Sequence, residues 1–322
     1  MEKRKFGALD FEVSCLSFGG AAVSGEGGGY GFGSMSEPEA LNLLRASYDR
    51  GINLFDTAPI YGYGMSEQRI GKAFKKNRKD VFIVSKCGVD WDANKKPRVD
   101  NGAETTKRML HQSLKDLDTD YIDLYLVHWP DRNNDIRDTI AVLSKAKTAG
   151  KIRAIGLSNF YDTETIDQAA EVDRIDVLQT EFNIFHTEAR EKLFPYIKKN
   201  NIGFMSWGTF DKGILTGRVT RERTFEKNDF RQLDWAKWSA AEAKMRSMDR
   251  INPLLEGEGT DGRKLALGFV LGHSEASTAV CGIKSLSQLE TALSALSDRC
   301  NENIVKKALE IATKELHAPA DS

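Results

Sequence analysis

Four polar side chains of different chemistry follow short apolar segments in the first half of the chain. Asp56 and Tyr61 lie in FDTAPIYG, Lys86 in VSKCG and His128 in LVHWPD. Burying a lysine without a partner is costly, and Asp56 is a natural partner for Lys86. A nearby ammonium favours the phenolate and lowers the pKa of a tyrosine from its usual value of about 10. These residue types suit proton transfer, with Tyr61 as the donor.

Each of the four also has an ordinary structural interpretation. Asp56 suits a cap or turn, and Lys86 suits a solvated strand end. His128 suits a hydrogen-bonded core position, and Tyr61 suits the surface. Only their arrangement in space would favour chemistry over these alternatives, and that arrangement depends on the elements that carry them.

Short β-branched segments alternate with amphipathic helical patterns along almost the whole chain, which is typical of repeated βα units. Eight segments are predicted to be strands, and they span 14–19, 53–57, 81–86, 122–128, 152–158, 177–182, 203–207 and 278–282. Eight units favour an α/β fold of the (β/α)8 TIM-barrel type. A doubly wound sheet is the alternative, but its first βα turn should carry G-x-G-x-x-G, which is absent here. The carboxyl ends of barrel strands share one face, so the four polar residues are expected on one rim.

The chain is longer than the roughly 250 residues of a typical barrel, and several segments account for the additional length. Residues 3–13 predict an N-terminal β-hairpin with residues 7–10 at its turn. The long polar segment 208–261 is too large for an ordinary βα loop. Residues 301–316 have helical spacing and predict an extra C-terminal helix. No linker is visible, so residues 1–322 are predicted to form a single domain.

Composition restricts the partners. The 46 Lys and Arg nearly balance the 47 Asp and Glu, which does not favour nucleic acid, a membrane surface or a polyanion. A small-molecule partner is expected, and the oligomeric state is not predicted. Cysteines are too sparse for a disulfide framework and show no CxxC spacing, so a reducing compartment is favoured. The N-terminus has no apolar signal region and no apolar run approaches 18 residues, so a cytoplasmic protein is expected.

A set of ordered motifs resembles one enzyme family. DTAPIYG, the SK at residues 85–86, SLKDLDTDYIDLYLVHWPD, GKIRAIGLSNF and LQTEFN are similar to the aldo-keto reductases, from the N-terminal hairpin to about residue 296. The bacterial branch near the inositol-utilisation and general stress reductases is most similar. The resemblance implies an NADP(H)-dependent oxidoreductase that interconverts carbonyls and alcohols. It also implies a catalytic tetrad at Asp56, Tyr61, Lys86 and His128.

The resemblance extends to a nicotinamide cofactor. Ser158, Asn159 and Gln179 match the positions that hydrogen-bond the carboxamide, and Trp207 matches an aromatic against the nicotinamide face. A core position is the alternative for Trp207. The segment GTFDKGILTGR, residues 208–218, resembles the backbone that covers the pyrophosphate. Its implied cofactor-binding residues are Gly208, Phe210, Lys212, Leu215, Gly217 and Arg218.

The resemblance also implies that residues at the end of the last predicted strand contact the end of the cofactor that carries the 2′-phosphate. Gly282 and Lys284 match positions near the 2′-phosphate, and Gln288 completes an S-x-x-Q capping box that exposes a helix N-terminus to an anion. NADP is favoured over NAD, because no nearby acidic residue would receive a free 2′-hydroxyl. Where the family has Glu-Asn against the adenine, this chain has Thr291 and Ala292, so the adenine contacts are expected to differ.

The stretch SGEGGGYGFG, residues 24–33, contains six glycines. Glycine-rich loops can bind phosphate, but no phosphate-binding motif fits, and a mobile surface loop is the ordinary alternative. Since the resemblance assigns the phosphates to residues 208–218, this stretch is predicted to border the substrate site. The candidate apolar walls are Tyr30, Phe32, Trp91 and Trp129. The substrate is expected to be a small carbonyl compound or polyol.

Two other functions stay open. A cofactor-sensing regulatory subunit would need the nucleotide-binding residues but not the tetrad, and fold alone does not distinguish it from an enzyme. A barrel enzyme acting on phosphorylated substrates would not bind a nicotinamide cofactor. No metal site is expected, because the five histidines are scattered and form neither HxH nor HExxH.

Overall fold

The computed structural model describes residues 1–25, 28–232 and 241–318 of the chain. The strands are β1 (Lys3–Phe6), β2 (Leu9–Ser14), β3 (Leu16–Gly19), β4 (Leu54–Asp56), β5 (Phe82–Cys87), β6 (Val89–Trp91), β7 (Pro97–Val99), β8 (Ile122–Val127), β9 (Ile152–Ser158), β10 (Val177–Glu181), β11 (Gly203–Trp207) and β12 (Thr278–Cys281). The α-helices are α1 (Glu37–Asp49), α2 (Met65–Phe74), α3 (Ala103–Asp116), α4 (Ile136–Thr148), α5 (Thr163–Ala170), α6 (Glu188–Lys192), α7 (Phe194–Asn200), α8 (Ala241–Gly257), α9 (Gly262–Leu271), α10 (Leu286–Ser297) and α11 (Glu302–Leu316).

Eight parallel strands close into a barrel in the order β3–β4–β5–β8–β9–β10–β11–β12, and β12 pairs back with β3. The predicted strands match these to within two residues at each end. The (β/α)8 prediction is therefore confirmed. Helix α1 begins as its sequence predicts, with Ser36 and Glu39 in a capping box, and Gly51 follows it with a φ of +91°.

The N-terminal hairpin forms from β1 and β2, but its turn is shorter than predicted. Phe6 pairs with Leu9, so Asp10 lies within β2 and not in the turn. A second antiparallel pair, β6 with β7, directly follows β5. It was not predicted, because β6 has only three residues and lies next to a stronger strand signal.

The long segment after β11 contains short 3-10 turns at Asp211–Gly213 and Phe230–Gln232 and then α8. Residues 233–240 of this segment lie outside the described residues. The predicted C-terminal helix is α11, which begins after an Asn301 N-cap and packs against α8. Among the helices of the described ranges, none combines the length and apolarity needed to span a membrane.

Alternation along the strands decides which residues reach the barrel mouth. Successive side chains of a strand point to opposite faces. The apolar side chains of one face fill the barrel interior, and a polar residue follows two positions later on the same face. These apolar and polar pairs are Leu54 and Asp56, Val84 and Lys86, Leu126 and His128, and Val177 and Gln179. The polar residues therefore form the layer above the interior core, at the carboxyl end of the barrel.

Candidate active site

A buried ion pair lies at the ends of two neighbouring strands. The Nζ atom of Lys86 lies 2.7 Å from Oδ1 of Asp56 and donates a hydrogen bond of 2.8 Å to the Thr57 carbonyl oxygen. Gln179 Nε2 also donates to Asp56 Oδ1, at 2.9 Å. Only 1% of Lys86 and 4% of Asp56 is exposed, so each charge depends on the other. The predicted pairing of these two residues is thus present.

Tyr61 and His128 complete this group. Tyr61 lies in a turn between β4 and α2, in which Gly62 and Gly64 have φ values of +67° and +94°. Lys86 Nζ lies 5.3 Å from the centroid of the Tyr61 ring. The Tyr61 and His128 ring centroids are 5.9 Å apart, edge to face. The structure brings all four predicted residues together.

The expected effect of Lys86 on Tyr61 is wrong for this structure. Burial raises the pKa of Tyr61 well above its usual value, and the Asp56 carboxylate adds to the increase. The Lys86 ammonium is hydrogen-bonded to Asp56 and to the Thr57 carbonyl, which explains why its attraction for a phenolate does not determine the pKa of Tyr61. Burial also lowers the pKa of Lys86, an effect that Asp56 opposes.

His128 is held in its neutral form. Burial lowers the pKa of this imidazole well below its usual value, and the Lys86 ammonium lowers it further. Near pH 7 the ring therefore carries one N–H, which can donate one hydrogen bond to an oxygen in the cavity. Tyr61 and His128 are thus two neutral donors at one point of the rim.

A cavity of about 690 Å³ opens above these residues. Asp56, Tyr61 and His128 line its floor. Of the predicted substrate-binding residues, Tyr30, Phe32 and Trp129 line the walls.

Trp91 does not line this cavity. It lies on β6, and its ring packs edge to face on Tyr63 with the centroids 5.2 Å apart. The β6–β7 pairing carries it aside, which sequence order alone did not indicate.

The candidate carboxamide site lies beside the tetrad. Ser158, Asn159 and Gln179 are buried at the ends of β9 and β10 and line the cavity with Trp207. Asn159 has a φ of +66° and donates through Nδ2 to the His128 carbonyl oxygen at 3.0 Å. Trp207 Nε1 donates to Asn159 Oδ1 at 2.9 Å, so the indole is oriented by a cavity residue.

The candidate pyrophosphate segment only partly faces the cavity. Gly208, Phe210, Lys212 and Arg218 line it, whereas Leu215 and Gly217 do not. Leu215 is fully buried and packs in the hydrophobic core, and Gly217 lies at an exposed turn with a φ of +69°.

At the far end of the cavity Gly282, Lys284 and Gln288 are lining residues, as are Thr291 and Ala292. Ser285 Oγ accepts from the Gln288 N–H at 3.1 Å, as predicted for a helix cap. The Gln288 side chain accepts from the Lys284 N–H at 2.9 Å. In a capping box it would instead accept from the N–H of the N-cap residue, Ser285, which is one residue later. The α10 N-terminus is therefore capped at the cavity edge.

The expectation of no acidic residue near Lys284 is wrong. The Glu226 and Asp229 carboxylates lie close enough to oppose the burial that lowers the pKa of Lys284. The Lys284 ammonium donates to the carbonyl oxygens of Phe32 and Ser34. Both acidic residues belong to the long segment after β11, whose path no local sequence signal revealed.

The glycine-rich stretch meets that same long segment across the mouth of the cavity. Gly28 N–H donates to the Asn228 carbonyl at 3.2 Å, and Phe230 N–H donates to the Gly31 carbonyl at 2.8 Å. The Phe32 and Phe230 rings pack edge to face, 4.8 Å apart. Residues 26 and 27 of the stretch lie outside the described residues. The described part forms one wall of the cavity mouth.

Acidic and imidazole groups of Glu181, His186 and Asp211 also come together, beside the candidate pyrophosphate segment. Lys244 Nζ lies 2.8 Å from His186 Nε2 and 3.0 Å from Asp211 Oδ2. Lys212 Nζ lies 3.3 Å from Glu181 Oε1. These ammonium groups pair with the acidic groups of the cluster, so we interpret it as a partly buried ion-pair network that fixes α8 to this segment.

Comparisons with known proteins give matches over most of the chain. The model of the Aldo/keto reductase family matches residues 15–311. The chain is 36% identical over 295 residues to the aldo-keto reductase YhdN of Bacillus subtilis, covering 90% of this chain and 87% of that protein. It is 31% identical over 236 residues to the NADH-specific methylglyoxal reductase of Escherichia coli, covering 69% and 71%. The structure of the glycerol dehydrogenase from Gluconobacter oxydans superposes with a TM-score of 0.82 at 28% identity, covering 99% and 97%.

Proposed function

The chain belongs to the aldo-keto reductase family, and from this premise we propose that it is an NADP(H)-dependent oxidoreductase that interconverts small carbonyl compounds and alcohols. The observation that carries the proposal is the buried Lys86–Asp56 pair beneath Tyr61 and His128. A binding module would have no need to bury an ion pair under two hydrogen-bond donors at the floor of a cavity.

The lining residues fit a nicotinamide cofactor. Buried hydroxyl and amide groups of Ser158, Asn159 and Gln179 offer both donors and acceptors, as a carboxamide requires. The backbone at Gly208 has a φ of +69°, a conformation that lets the main chain approach a ligand closely. When bound, the cofactor supplies a hydride to the carbonyl carbon.

The residues of the chain then handle the oxygen. Tyr61 donates its proton to the carbonyl oxygen as the C–O bond becomes a single bond. The Lys86 ammonium, held by Asp56, stabilises the negative charge that develops on that oxygen. The neutral His128 ring donates a hydrogen bond that orients the carbonyl. In the reverse direction the phenolate form of Tyr61 accepts the alcohol proton.

NADP is our proposal for the cofactor. Lys284 and the N-terminus of α10 lie at the far end of the cavity, where a 2′-phosphate would find a cation and the positive end of a helix dipole. Glu226 lies near this cation, and one relative is described as NADH-specific, so NADH is the competing cofactor. Both are measured in the test below.

Apolar walls define the proposed substrate class. Tyr30 and Trp129 pack in one apolar cluster with Tyr61, and Phe32 and Trp207 also line the cavity. Aromatic walls favour a carbonyl compound with an apolar or flat body over a strongly hydrated one.

The test is cofactor titration followed by turnover. Purified protein is titrated with NADPH and NADH by fluorescence quenching, and absorbance at the cofactor band is then followed after an aromatic aldehyde is added. We expect NADPH to bind more tightly than NADH and to be oxidised in an aldehyde-dependent reaction. Tyr61→Phe removes only the proton donor, so turnover should fall by about 10²–10⁴-fold with NADPH affinity nearly unchanged.

Tyr63→Phe is the matched control, because Tyr63 is a neighbouring tyrosine whose hydroxyl donates to the Lys95 carbonyl outside the cavity. It should keep wild-type turnover. Full activity in Tyr61→Phe would refute the assigned proton donor. Tight binding without turnover over a panel of carbonyl compounds would instead support a regulatory subunit, and failure to bind either cofactor would support an enzyme of another class.

A further inference from the structure

The first turn of α2 carries two buried polar residues, Ser66 and Glu67, that the proposed reaction does not use. Neither has any exposed surface. The helix begins at Met65, four residues after Tyr61. Glu67 is costly to bury, because a carboxyl group without full hydrogen bonding loses its hydration. We call this pair of residues the α2 clamp.

Ser66 connects the segments that carry Asp56 and Tyr61 with the turn that follows β3. Its hydroxyl accepts from Thr57 Oγ1 and donates to the Gly20 carbonyl, both at 2.8 Å. Its N–H donates to the Tyr61 carbonyl at 3.2 Å. Thr57 is also the residue whose carbonyl receives the Lys86 ammonium. One serine thus fixes the Tyr61 turn relative to the residue that holds Lys86.

Glu67 connects the same helical turn to β5. Ser85 Oγ donates to Glu67 Oε1 at 2.6 Å, and Ser85 directly precedes Lys86. The other carboxyl oxygen, Oε2, makes no hydrogen bond of normal geometry to the described residues, although the Ser113 hydroxyl on α3 lies close enough to oppose the rise in the pKa of Glu67. If this position served only the stability of the fold, an uncharged residue would cost less free energy to bury than a glutamate.

We propose, on the basis of the function proposed above, that Ser66 and Glu67 are positioning residues for the tetrad: the clamp sets Tyr61 against Lys86, and the Glu67 carboxylate supports the Lys86 ammonium. Neither residue lines the cavity, so both act through other residues.

The charges around Glu67 give the sign of its effect. The titratable groups that act on it electrostatically are Lys86 on β5, Asp116 on α3 and Tyr125 on β8. Burial raises the pKa of Glu67 to about 7, so above that pH it is mostly a carboxylate. Burial lowers the pKa of Lys86, and both Asp56 and Glu67 oppose this. Without the Glu67 charge the Lys86 ammonium is lost at a lower pH.

Glu67→Gln and Ser66→Ala test the clamp. Glu67→Gln keeps an oxygen that can accept from Ser85 but has no charge. We expect kcat to fall about tenfold, the basic limb of its pH profile to move to lower pH, and the NADPH dissociation constant to stay at the wild-type value. Ser66→Ala should also lower kcat at constant NADPH affinity, but without moving the basic limb, because no charge is removed.

Glu104→Gln is the matched control, since Glu104 also lies in the first turn of a barrel helix but is exposed. Wild-type kcat and pH profile in Glu67→Gln would overturn the proposed charge effect, and wild-type kcat in Ser66→Ala would overturn the clamp. If Glu67→Gln does not fold, the Ser66→Ala result decides. A wild-type protein that reduces no carbonyl refutes the proposed function itself, whereas an active wild type with unaffected variants refutes only this inference.

Discussion

The buried Lys86 ammonium is in direct contact with one carboxylate, that of Asp56. It is almost fully buried, and Asp56 and the Thr57 carbonyl are its hydrogen-bond partners within 2.8 Å. In such a pair, removing one partner leaves the other charged and unpaired, whereas removing both is often nearly neutral. Stability and activity therefore respond differently to changes in this pair.

The variant Lys86→Met and the double variant Lys86→Met with Asp56→Asn separate the two effects. Lys86→Met should lower the free energy of unfolding by about 3–5 kcal/mol, because Asp56 is left buried and uncompensated. Urea unfolding of the double variant should recover most of that loss. Aldehyde reduction should stay about 10²–10³-fold below wild type in both. A double variant that recovers activity as well as stability would contradict the role assigned to Lys86.

Helix α2 is packed closely against the end of its neighbour α3. A Cβ at Gly71 would lie 2.2 Å from the Leu117 carbonyl oxygen, which follows α3. Backbone atoms cannot move aside as a flexible side chain does. The close approach of α2 to α3 keeps the clamp near β5.

Gly71→Ala should therefore destabilise the protein by about 1–3 kcal/mol through overpacking. Gly257→Ala is the control, because Gly257 ends α8 and a Cβ there meets no atom within 4 Å. That control should be neutral or slightly stabilising, since alanine favours helix. Urea unfolding of both variants measures the difference, and equal stabilities would show that the α2–α3 approach is not tight.

At this scale the sequence predicted the barrel and its rim well, because both follow from local patterns. Strand alternation places Lys86 and His128 on the interior face without any knowledge of distant residues. Trp91 was misplaced because three-residue β6 is too short to give its own signal. Glu226 was missed because its approach to Lys284 depends on the path of a long segment, which is a matter of tertiary packing.

For the molecule as a whole, one buried and two partly buried histidines make stability depend on pH. Burial lowers the pKa values of His128, His186 and His273. Below pH 6.5, the ordinary histidine pKa, these imidazoles bind protons in the unfolded chain but not in the folded protein. The free energy of unfolding therefore falls as pH decreases from 6.5. Glu67, whose folded pKa is raised to about 7, acts in the opposite direction, because the folded state then binds the extra proton.

His128→Gln removes one of these three histidines. The free energy of unfolding should fall less between pH 7.5 and pH 5.5 in this variant than in the wild type, as measured by urea unfolding at both pH values. His317→Gln, at an exposed position after α11, is the control and should retain the wild-type dependence. An equal dependence in His128→Gln would show that His128 binds a proton as readily in the folded protein as in the unfolded chain.

The alternation of side chains along β5 also determines which of them reaches the cavity. Val84 and Lys86 share the interior face, while Cys87 belongs to the core between barrel and helices. Deleting one residue within this strand would turn the thiol into the cavity and bury the ammonium among hydrocarbon side chains. Length changes in β5 are therefore tolerable only in steps of two residues. Function thus constrains the length of this strand far more strictly than the lengths of the loops that surround the cavity mouth.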